Sequence, residues 1–411
     1  MNPLYNIGIG AYRLAVKAAS LRNPKARKML EGQASTFSYL KERLDRNCRY
    51  IWIHASSLGE FEQGRPLIEK IKACHPEKRI LLTFFSPSGY EVRKHYDKVD
   101  AVCYMPFDLP CNVKRFLDLV NPEMAIFVKY EFWGNYLMEL KRRGVPTYII
   151  SAIFRPGQRF FHPWGRMFRQ MLHCYTHIYV QNEESRRLLS QIGVDNVDVC
   201  GDTRFDRVMQ VKNEAKEFPI LAAMTAHSPF TLVMGSSWQP DEDIVIPYFN
   251  THPEMKLVIA PHEFDAIRLK QLLHKIKRPV ALYSHTSAEA AGKLDCIVID
   301  CFGILSSLYR YGSAAYVGGG FGAGIHNINE AAVYGIPVIF GPNFGKFREA
   351  SDLIAVGGGF SINNAHDFKA VADSLIGDHG RLHAVGAIAD NYIKNHVGAT
   401  DFIYQDLFPG K

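Results

Sequence analysis

The sequence predicts an α/β protein built from two doubly wound halves of nearly equal size. Short runs rich in β-branched and aromatic residues alternate with amphipathic helical patterns, which is typical of parallel sheets covered on both faces. The alternation pauses at a polar stretch, residues 212–217, and then starts again. Turns containing glycine follow a strand in each half, where parallel sheets present their ligand-binding loops.

Length and composition agree with two globular domains. The chain has 411 residues, 47% hydrophobic and 22% charged, which excludes a disordered, collagen-like or coiled-coil protein. Lysine and arginine outnumber acidic residues by 48 to 41, and the net charge of +7 suits an anionic partner without choosing among phosphorylated substrate, lipid surface and nucleic acid. The 8 cysteines are scattered, so we expect reduced thiols rather than disulfides or a zinc site.

Each half is expected to contain its own sheet. The strands predicted in the first half are residues 50–54, 80–84, 101–104, 124–128, 147–151 and 178–180. Those predicted in the second half are residues 230–234, 256–260, 296–299, 314–317 and 337–340. A helix is expected from about Glu60 to Ala73, and the halves join near residues 205–225.

The N-terminal segment, residues 1–30, has a composition of its own. It carries basic residues and no acidic one: Arg13, Lys17, Arg22, Lys25, Arg27 and Lys28. Its uncharged run is about ten residues, against the roughly 20 that a spanning helix needs, and its charges follow the apolar stretch, unlike those of a signal peptide. We expect a basic helix lying on an anionic membrane surface; the alternative is a first helix packed on the protein's own core. No other segment is expected to span a bilayer.

Residues 317–332 are the most informative segment. A strand ends at Val317, a glycine-rich loop follows, and a helix is expected to open near Asn327. Such a loop lets the backbone approach a phosphate, and a helix N-terminus offers N–H groups. His326 would donate to a phosphate oxygen, and Glu330 would accept from a ribose hydroxyl. The loop matches G-x-G-x-x-G only loosely, so a dinucleotide site is poorly supported, and a tight turn without ligand is the alternative.

The corresponding loop of the first half is residues 54–60. Glu60 is expected at a helix start, facing the cleft beside small residues. A carboxylate there would serve as a general base for activating a hydroxyl. The alternative, which position alone favours, is that Glu60 complements the helix dipole.

Four further segments lie where strands end. Gly235 and Ser236 would meet a phosphate, or a serine there caps the next helix. Residues 241–243 match the Asp-x-Asp of metal-dependent sugar-nucleotide enzymes, but a helix start makes dipole complementation the preferred interpretation. Arg204 would reach an anionic ligand or form a surface salt bridge, and Glu131 is expected to line the same cleft. Serine-hydrolase, Walker and nucleic-acid-binding signatures are absent from the sequence.

Taken in order, these segments resemble the Kdo transferases of Gram-negative bacteria, which move 3-deoxy-D-manno-oct-2-ulosonic acid (Kdo) from CMP-Kdo onto the lipid A precursor. The resemblance covers nearly the whole chain: the basic N-terminus and residues 52–60, 130–135, 201–206, 235–238 and 318–330. It implies a GT-B glycosyltransferase fold, in which two Rossmann-like domains surround a central cleft. It also implies an inverting transfer, without metal or cofactor, in lipopolysaccharide biosynthesis at the cytoplasmic face of the inner membrane.

The resemblance assigns domains and partners. Residues 1–30 would be the membrane-associating segment, residues 31–210 the acceptor-binding domain and residues 211–411 the CMP-sugar-binding domain. Whether the last helix packs back on the first domain is left open. The partners would be CMP-Kdo, the lipid A precursor and an anionic membrane surface, with no nucleic acid.

The resemblance also assigns roles to residues. Glu60 would be the catalytic base that deprotonates the acceptor hydroxyl. The donor would be bound by Arg204, Gly235, Ser236, Gly318, Gly319, His326, Asn327 and Glu330. The acceptor side of the cleft would include Ser57, Gly59 and Glu131, and no residue would bind a metal.

Several positions depart from the family pattern. Arg204 stands where the family usually has lysine, and the two are not equivalent in geometry. The acidic Glu-x-Glu motif keeps only Glu131, with Lys129 in the first position, residues 260–263 lack the expected arginine, and the usual Gly-Gly-Ser start of the donor loop reads Gly-Gly-Gly at 318–320. Two alternatives therefore stay open: another GT-B enzyme that uses a UDP-sugar for an envelope glycan, and a catalytically silent protein of this fold that binds nucleotide or lipid.

Overall fold

The protein divides into two compact units, which a computed structural model describes over residues 3–410. The first unit comprises the residues up to Arg207 together with those from Val397 onward, and the second comprises Val208–His396. Residues 1, 2 and 411, which the predicted terminal segments include, lie outside the described range. Each unit is built on one parallel sheet, as the alternation of strand and helix patterns predicts.

The first unit has a seven-stranded sheet within the described residues. Its strands are β1 (Tyr50–His54), β2 (Arg79–Phe84), β3 (Ala101–Tyr104), β4 (Pro122–Val128), β5 (Thr147–Ala152), β6 (His177–Val180) and β7 (Val197–Val199). Their spatial order is β3-β2-β1-β4-β5-β6-β7, and all neighbours pair in parallel. The strand order reverses at the β1–β4 pair, which is the position where open α/β sheets bind ligands.

Helices precede, connect and follow these strands. They are α1 (Pro3–Ala19), α2 (Pro24–Arg43), α3 (Leu58–Cys74), α4 (Pro87–Arg93), α5 (Pro110–Val120), α6 (Gly134–Arg142), α7 (Arg166–Leu172), α8 (Glu183–Ser190) and α9 (Thr203–Asn213). The predicted polar linker begins inside α9, which continues into the second unit. There, Lys212 Nζ donates to Val333 O at 2.5 Å, so this end of the helix is held by the second unit's own residues.

Alternate side chains of the first sheet enter two separate cores. Trp52 and Phe127 lie in the core that α5 and α6 cover, whereas Ile53 and Ile126 lie in the core that α3 covers. All five residues of β1 are buried. A strand buried on both faces has no polar side to alternate with, which explains the continuous apolar runs of the sequence.

The second unit repeats the plan, with seven strands among the described residues. They are β8 (Phe230–Ser237), β9 (Met255–Pro261), β10 (Val280–Leu282), β11 (Cys296–Val298), β12 (Ala314–Val317), β13 (Val338–Phe340) and β14 (Gly359–Ser361). Their order is β10-β11-β9-β8-β12-β13-β14, so the order reverses at the β8–β12 pair. The sequence did not predict the edge strands β10 and β14, which are only partly buried, whereas the equally short β11 and β13 are fully buried.

The helices of the second unit range from 4 to 16 residues in length. They are α10 (Pro219–Thr225), α11 (Gln239–Thr251), α12 (Ala266–Lys275), α13 (Ala288–Ala291), α14 (Leu305–Leu308), α15 (Asn329–Ala332), α16 (Arg348–Val356), α17 (Ala365–Ile376) and α18 (His379–Lys394).

The last helix, α19 (Ala399–Leu407), belongs to the first unit. Asp206 stabilises its start, because the carboxylate accepts from Gly398 N at 2.6 Å and from Thr400 N at 2.7 Å. Tyr404 then contacts His75, with its hydroxyl 3.1 Å from His75 Nε2, just beyond the end of α3. The C-terminal helix therefore packs against the helix that carries Glu60.

Helix α1 has two different faces. Tyr5, Ile9, Tyr12 and Val16 recur at helical spacing on one side, where Val16 is buried against the unit's own residues. The opposite side exposes Leu4, Ile7 and Leu14, which are 66% to 71% accessible. Packing on the protein's own core is thus confirmed for one face, while membrane association stays a prediction for the other. Of the helices within residues 3–410, none is both long and apolar enough to cross a bilayer.

Candidate functional site

Glu60 lies in the first turn of α3, directly after β1. Ser57 is the N-cap residue, and its backbone N–H donates to Glu60 Oε2 at 3.0 Å. The helix-capping contact that the sequence offered as an alternative to catalysis is therefore present. The hydrogen bond from Ser57 occupies one acceptor position of the partly buried Glu60 carboxylate, so both of its oxygens can still accept further hydrogen bonds. The turn is open beside it, because a Cβ on Gly59 would meet no atom within 4 Å.

A buried imidazole lies beside this turn. His54 is fully inaccessible at the end of β1, with Nε2 3.1 Å from Glu131 Oε2 and Nδ1 2.8 Å from Thr83 Oγ1. Thr83 Oγ1 also accepts from the Trp52 indole N–H at 2.8 Å. The tautomer with its proton on Nε2 satisfies all of these contacts, because Thr83 then donates its hydroxyl proton to Nδ1. His54 thus holds the Glu131 carboxylate in place.

Glu131 comes from the loop after β4 and is 4% exposed. Besides His54, its carboxylate accepts a hydrogen bond from the Trp133 indole N–H. Its main-chain carbonyl accepts one from the Tyr175 hydroxyl. Both ends of the residue are therefore fixed. Lys129, at the start of the loop, adopts a left-handed backbone conformation with φ of 72°, a geometry that is uncommon for a residue with a side chain and is found at functional loops.

The surroundings of Glu60 change its proton affinity. Burial raises the pKa of the Glu60 carboxyl to about 7, and the negative charge of Glu131 contributes in the same direction against His54, the Ser57 N–H and Lys129. The native pKa lies above the ordinary value of 4.5, so the protonated carboxyl favours the folded state below about pH 4.5. That contribution is lost as the pH rises to about 7. A carboxylate with this pKa is suited to accept a proton near neutral pH.

The second unit brings the glycine-rich loop to the end of β8. Gly318 N donates to Gly235 O at 2.9 Å, so the two predicted segments lie side by side. A Cβ on Gly318 would come within 2.8 Å of Ser237 Cα, which explains why no side chain is tolerated there. Ser236, in the middle of this contact, has a φ of 52° and is strained.

Asp241 fixes this loop through hydrogen bonds to its carboxylate. Its carboxylate is fully buried and accepts from Gly319 N at 3.0 Å, Trp238 N at 2.9 Å and the Tyr316 hydroxyl at 2.9 Å. The preferred interpretation of residues 241–243 as a helix start is confirmed, since Asp241 caps α11 through Trp238. The N-cap residue is Trp238 itself, so the expectation that a preceding serine caps this helix is wrong. Ser237 instead donates to Glu242 Oε1 at 3.0 Å.

Three aromatic rings stand in a row beside the loop. The His326 and His262 rings are 4.4 Å apart, and the His262 and Trp238 rings are 4.7 Å apart. Burial, together with the neighbouring His262, lowers the pKa of His326. His326 was predicted from the sequence as a donor-binding residue. His262 was not predicted as a site residue, because its segment was identified only by the absence of the expected arginine. The signal that would have found His262 is its place at the end of β9, beside β8 in the sheet.

Asn327 and Glu330 are joined to each other. Asn327 Nδ2 donates to Glu330 Oε1 at 3.1 Å, and Asn327 Oδ1 accepts from Asn329 N at 3.2 Å. The helix begins at Asn329, not at Asn327, and α15 is a single turn. Its dipole is correspondingly small, so the start of α15 offers little stabilisation to an anion.

Arg204 belongs to the first unit, whereas the other donor-binding candidates belong to the second. Its guanidinium forms an ion pair with the buried Asp202, with Nη2 2.8 Å from Oδ2. Although burial raises it, the charge and hydrogen bonds of Arg204 hold the pKa of Asp202 below its ordinary value. The salt bridge that the sequence gave as the alternative is therefore present. Asp202 also accepts from Gln63 Nε2 at 3.0 Å, which ties this segment to α3.

The structure thus groups the predicted residues at the strand reversals of two sheets. Ser57, Gly59, Glu60 and Glu131 lie at the β1–β4 pair, and Gly235, Ser236, Gly318 and Gly319 lie at the β8–β12 pair, continuing into His326, Asn327 and Glu330. Over residues 3–410, no group of three or more His, Cys, Asp or Glu side chains is arranged to hold a metal ion.

Known proteins are similar to this chain in sequence. Residues 31–207 match the family model described as 3-deoxy-D-manno-octulosonic-acid transferase (kdotransferase). The 3-deoxy-D-manno-octulosonic acid transferase of Aquifex aeolicus (strain VF5) is 29% identical over 345 residues, which are 82% of this chain and 88% of that protein. The enzyme of the same name from Rickettsia prowazekii (strain Madrid E) is 22% identical over 395 residues, 92% of this chain and 83% of that protein. The resemblance to the Kdo transferase family is confirmed.

These relatives indicate a glycosyltransferase, and solved structures agree with the fold. The UDP-GlcNAc 2-epimerase from Neisseria meningitidis bound to UDP-GlcNAc superposes with a TM-score of 0.61 at 16% identity, covering 88% of this chain and 100% of that one. The structure described as S. aureus MnaA-UDP gives a TM-score of 0.56 at 15% identity, covering 88% and 96%. The predicted GT-B class, with two parallel α/β sheets, is confirmed.

The Glu60 environment generates a prediction that is independent of turnover. Glu131→Gln removes the negative charge that helps to raise the pKa of Glu60, so the titration midpoint of Glu60 should fall from about 7 toward 4.5. Carbon-13 NMR of labelled glutamate carboxyls measures this midpoint, with Glu60→Gln to assign the signal. Glu77→Gln, at a site 63% exposed, is the matched control and should leave the midpoint unchanged. An unchanged midpoint in Glu131→Gln would refute the electrostatic coupling.

Proposed function

We propose that this protein is a Kdo transferase that moves Kdo from CMP-Kdo onto a hydroxyl group of the lipid A precursor, with Glu60 as general base. The observation that carries the proposal is the partly buried Glu60 carboxylate at the β1–β4 strand reversal, with its pKa raised to about 7. The similarity to Kdo transferases supports this choice of donor and acceptor, and Glu60, which the resemblance places in the family's base position, has a raised pKa that suits the step.

The reaction is a displacement at C2 of Kdo. Glu60 accepts the proton of the acceptor hydroxyl as that oxygen forms its bond to C2. The bond between C2 and the phosphate oxygen breaks, and CMP leaves with the electron pair. Attack opposite the leaving group inverts the configuration. Glu131 and His54 keep the carboxylate's surroundings fixed, which lowers the reorganisation needed during the transfer.

The donor is bound by the glycine-rich loop of the second unit. The Gly318 and Gly319 backbone approaches the phosphate without steric interference from side chains, and Asp241 fixes the loop from beneath. His326 donates an imidazole N–H to a phosphate oxygen, and Glu330, oriented by Asn327, accepts from a ribose hydroxyl. Gly235 and Ser236 form the neighbouring wall. The resemblance also assigns Arg204 to donor binding, and its guanidinium is paired with Asp202.

Helix α1 attaches the enzyme to the surface that holds its acceptor, the cytoplasmic face of the inner membrane. Its outward face combines exposed Ile7 and Leu14 with flanking cations such as Arg13 and Lys17. A helix with apolar residues on one side and basic residues beside them binds at the interface of an anionic bilayer. The acceptor is an anionic lipid, so enzyme and substrate would meet in that plane.

Glu60→Gln should abolish most transfer. The amide keeps the shape of the side chain but cannot accept the acceptor's proton, so kcat should fall by roughly 10²–10⁴-fold while CMP still binds. The measurement is transfer from CMP-Kdo to a lipid A precursor, with Glu77→Gln as control and with EDTA added in parallel. Full activity in Glu60→Gln would leave Glu60 as a helix-capping residue only. Loss of wild-type activity in EDTA would contradict the metal-independent mechanism that the resemblance implies.

Gly319→Ala should weaken CMP binding by roughly tenfold or more. Gly319 has a φ of 92°, and an added Cβ would lie 2.5 Å from the backbone oxygen of Gly324, so the loop must change its conformation. Gly322→Ala is the matched control in the same loop, since its Cβ would make only an ordinary contact of 3.7 Å. Calorimetry with CMP and UDP measures both binding and choice of donor. Tight binding of UDP in place of CMP would favour the UDP-sugar alternative.

Removing the outward apolar face of α1 should release the protein from membranes. The double variant Ile7→Ser, Leu14→Ser should lower binding to anionic phosphatidylglycerol vesicles on the order of tenfold, because buried apolar area contributes to binding. Val92→Ser, another exposed apolar site at 57% accessibility, is the control. Vesicle sedimentation at low and high salt measures the effect. Equal sedimentation of all three proteins would contradict the membrane-binding role of α1.

A further inference from the structure

The start of α6 lies directly after the loop that carries Glu131. The first amides of a helix have no partner inside it and require acceptors from elsewhere. The N-cap residue of α6 is Trp133, whose side chain provides no cap. Instead, Trp133 donates its indole N–H to Glu131 and packs on Phe85, with ring centroids 4.6 Å apart. The position of this helix start therefore determines where Trp133, and with it Glu131, is held.

The missing acceptors come from two distant segments. Asp108, which is fully buried, accepts from Asn135 N and Tyr136 N, each at 3.0 Å. The Tyr5 hydroxyl of α1 accepts from Gly134 N at 2.9 Å and donates to Asp108 Oδ2 at 2.6 Å. The Tyr5 hydroxyl thus accepts from the first of these α6 amides and orients the Asp108 carboxylate, which accepts from the next two amides.

A second contact reinforces the first. Asn6 Oδ1 accepts from Asn135 Nδ2 at 2.8 Å, and the same Asn135 amide donates to Asp108 O at 2.6 Å. These hydrogen bonds lie on the inward face of α1, away from the exposed Ile7 and Leu14. The inward and outward faces of one helix therefore have separable roles.

We propose that Tyr5 is a positioning residue for the transfer reaction: through Gly134 and Asp108 it fixes the start of α6 and so holds Glu131 against Glu60. The inference rests on the proposed function and extends it, because it makes α1 part of the scaffold of the catalytic site. Without the hydroxyl, Gly134 N loses its acceptor and buried Asp108 loses a donor, and the helix start moves to recover them. Glu131 then moves with Trp133.

The ionisable groups that bear on this arrangement come from several elements. Asp108 faces Tyr5, and burial raises the pKa of Asp108 to about 6 against the hydrogen bonds from Tyr5, Asn135 and Tyr136. Around Glu60 stand Glu131, His54 and Lys129. Displacing Glu131 from this group weakens its repulsion of the Glu60 charge, so the pKa of Glu60 falls while the geometry for transfer worsens.

The test is Tyr5→Phe in the full-length protein, which removes one oxygen and keeps the ring. Tyr12→Phe is the matched control, since the Tyr12 hydroxyl makes no hydrogen bond with any residue in the range 3–410. In Tyr5→Phe, amide hydrogen exchange at residues 134–136 should become faster. The kcat for Kdo transfer should fall roughly tenfold with KM for CMP-Kdo unchanged, and the acid limb of the pH–rate profile should move to lower pH. Vesicle sedimentation should match that of the wild type.

The outcomes separate the possibilities. Faster exchange with unchanged kcat and pH profile would reduce Tyr5 to a structural residue and overturn the proposal, as would unchanged exchange. If the wild type fails to transfer Kdo, the proposed function fails, and the Glu60 carboxyl titration decides the inference alone. A lower midpoint in Tyr5→Phe but not in Tyr12→Phe would then support it, and identical midpoints would refute it.

Discussion

Strand order reverses at the centre of each sheet, and these reversals determine where the loops of the candidate site lie. In the first unit, β1 leads into α3 on one face and β4 leads into α6 on the other, because Phe61 and Leu137 enter opposite cores. Two parallel strands whose helices leave in opposite directions keep their loops apart, and the gap is a natural ligand site. Glu60 and Glu131 stand on the two sides of that gap. The β8–β12 pair gives the second unit the same geometry with a glycine-rich loop in place of acids.

Two acidic residues illustrate how the environment decides the role of similar sequence features. Glu60 and Asp241 both occupy the first turn of a helix after a central strand and accept from the N-cap amide. Asp241 is fully buried and also accepts from Gly319 and Tyr316, so its oxygens are committed to structure. Glu60 is partly exposed and accepts one such hydrogen bond, while burial and Glu131 raise its pKa. The Asp241 carboxylate holds a loop, and the Glu60 carboxylate retains the capacity to take up a proton.

The buried polar side chains around Glu131 are hydrogen-bonded to one another. His54 and Glu131 would each be costly to bury alone, but Thr83 and the indole of Trp133 satisfy them. The same principle applies at the start of α6, where residues distant in sequence supply the caps. Such networks are rigid because each member loses its partner if another moves. This rigidity is the property that a general base needs during a displacement reaction.

Hydrophobic periodicity and turn residues are local features of a sequence. They therefore predict the alternation of strands and helices, the two similar halves and the loops that contain the candidate site residues. The sequence located Glu60, Glu131 and the glycine-rich loop. Other features are visible in the three-dimensional structure alone. His54 and Trp133 hold Glu131, and His262 lies beside His326. Helix α19 belongs to the first unit, and α1 packs through Tyr5 on the start of α6. Those contacts join residues up to 329 positions apart, and they depend on strand order and on which core each helix covers. No local pattern encodes that order, which follows from how two-faced sheets and helices bury their apolar surfaces together.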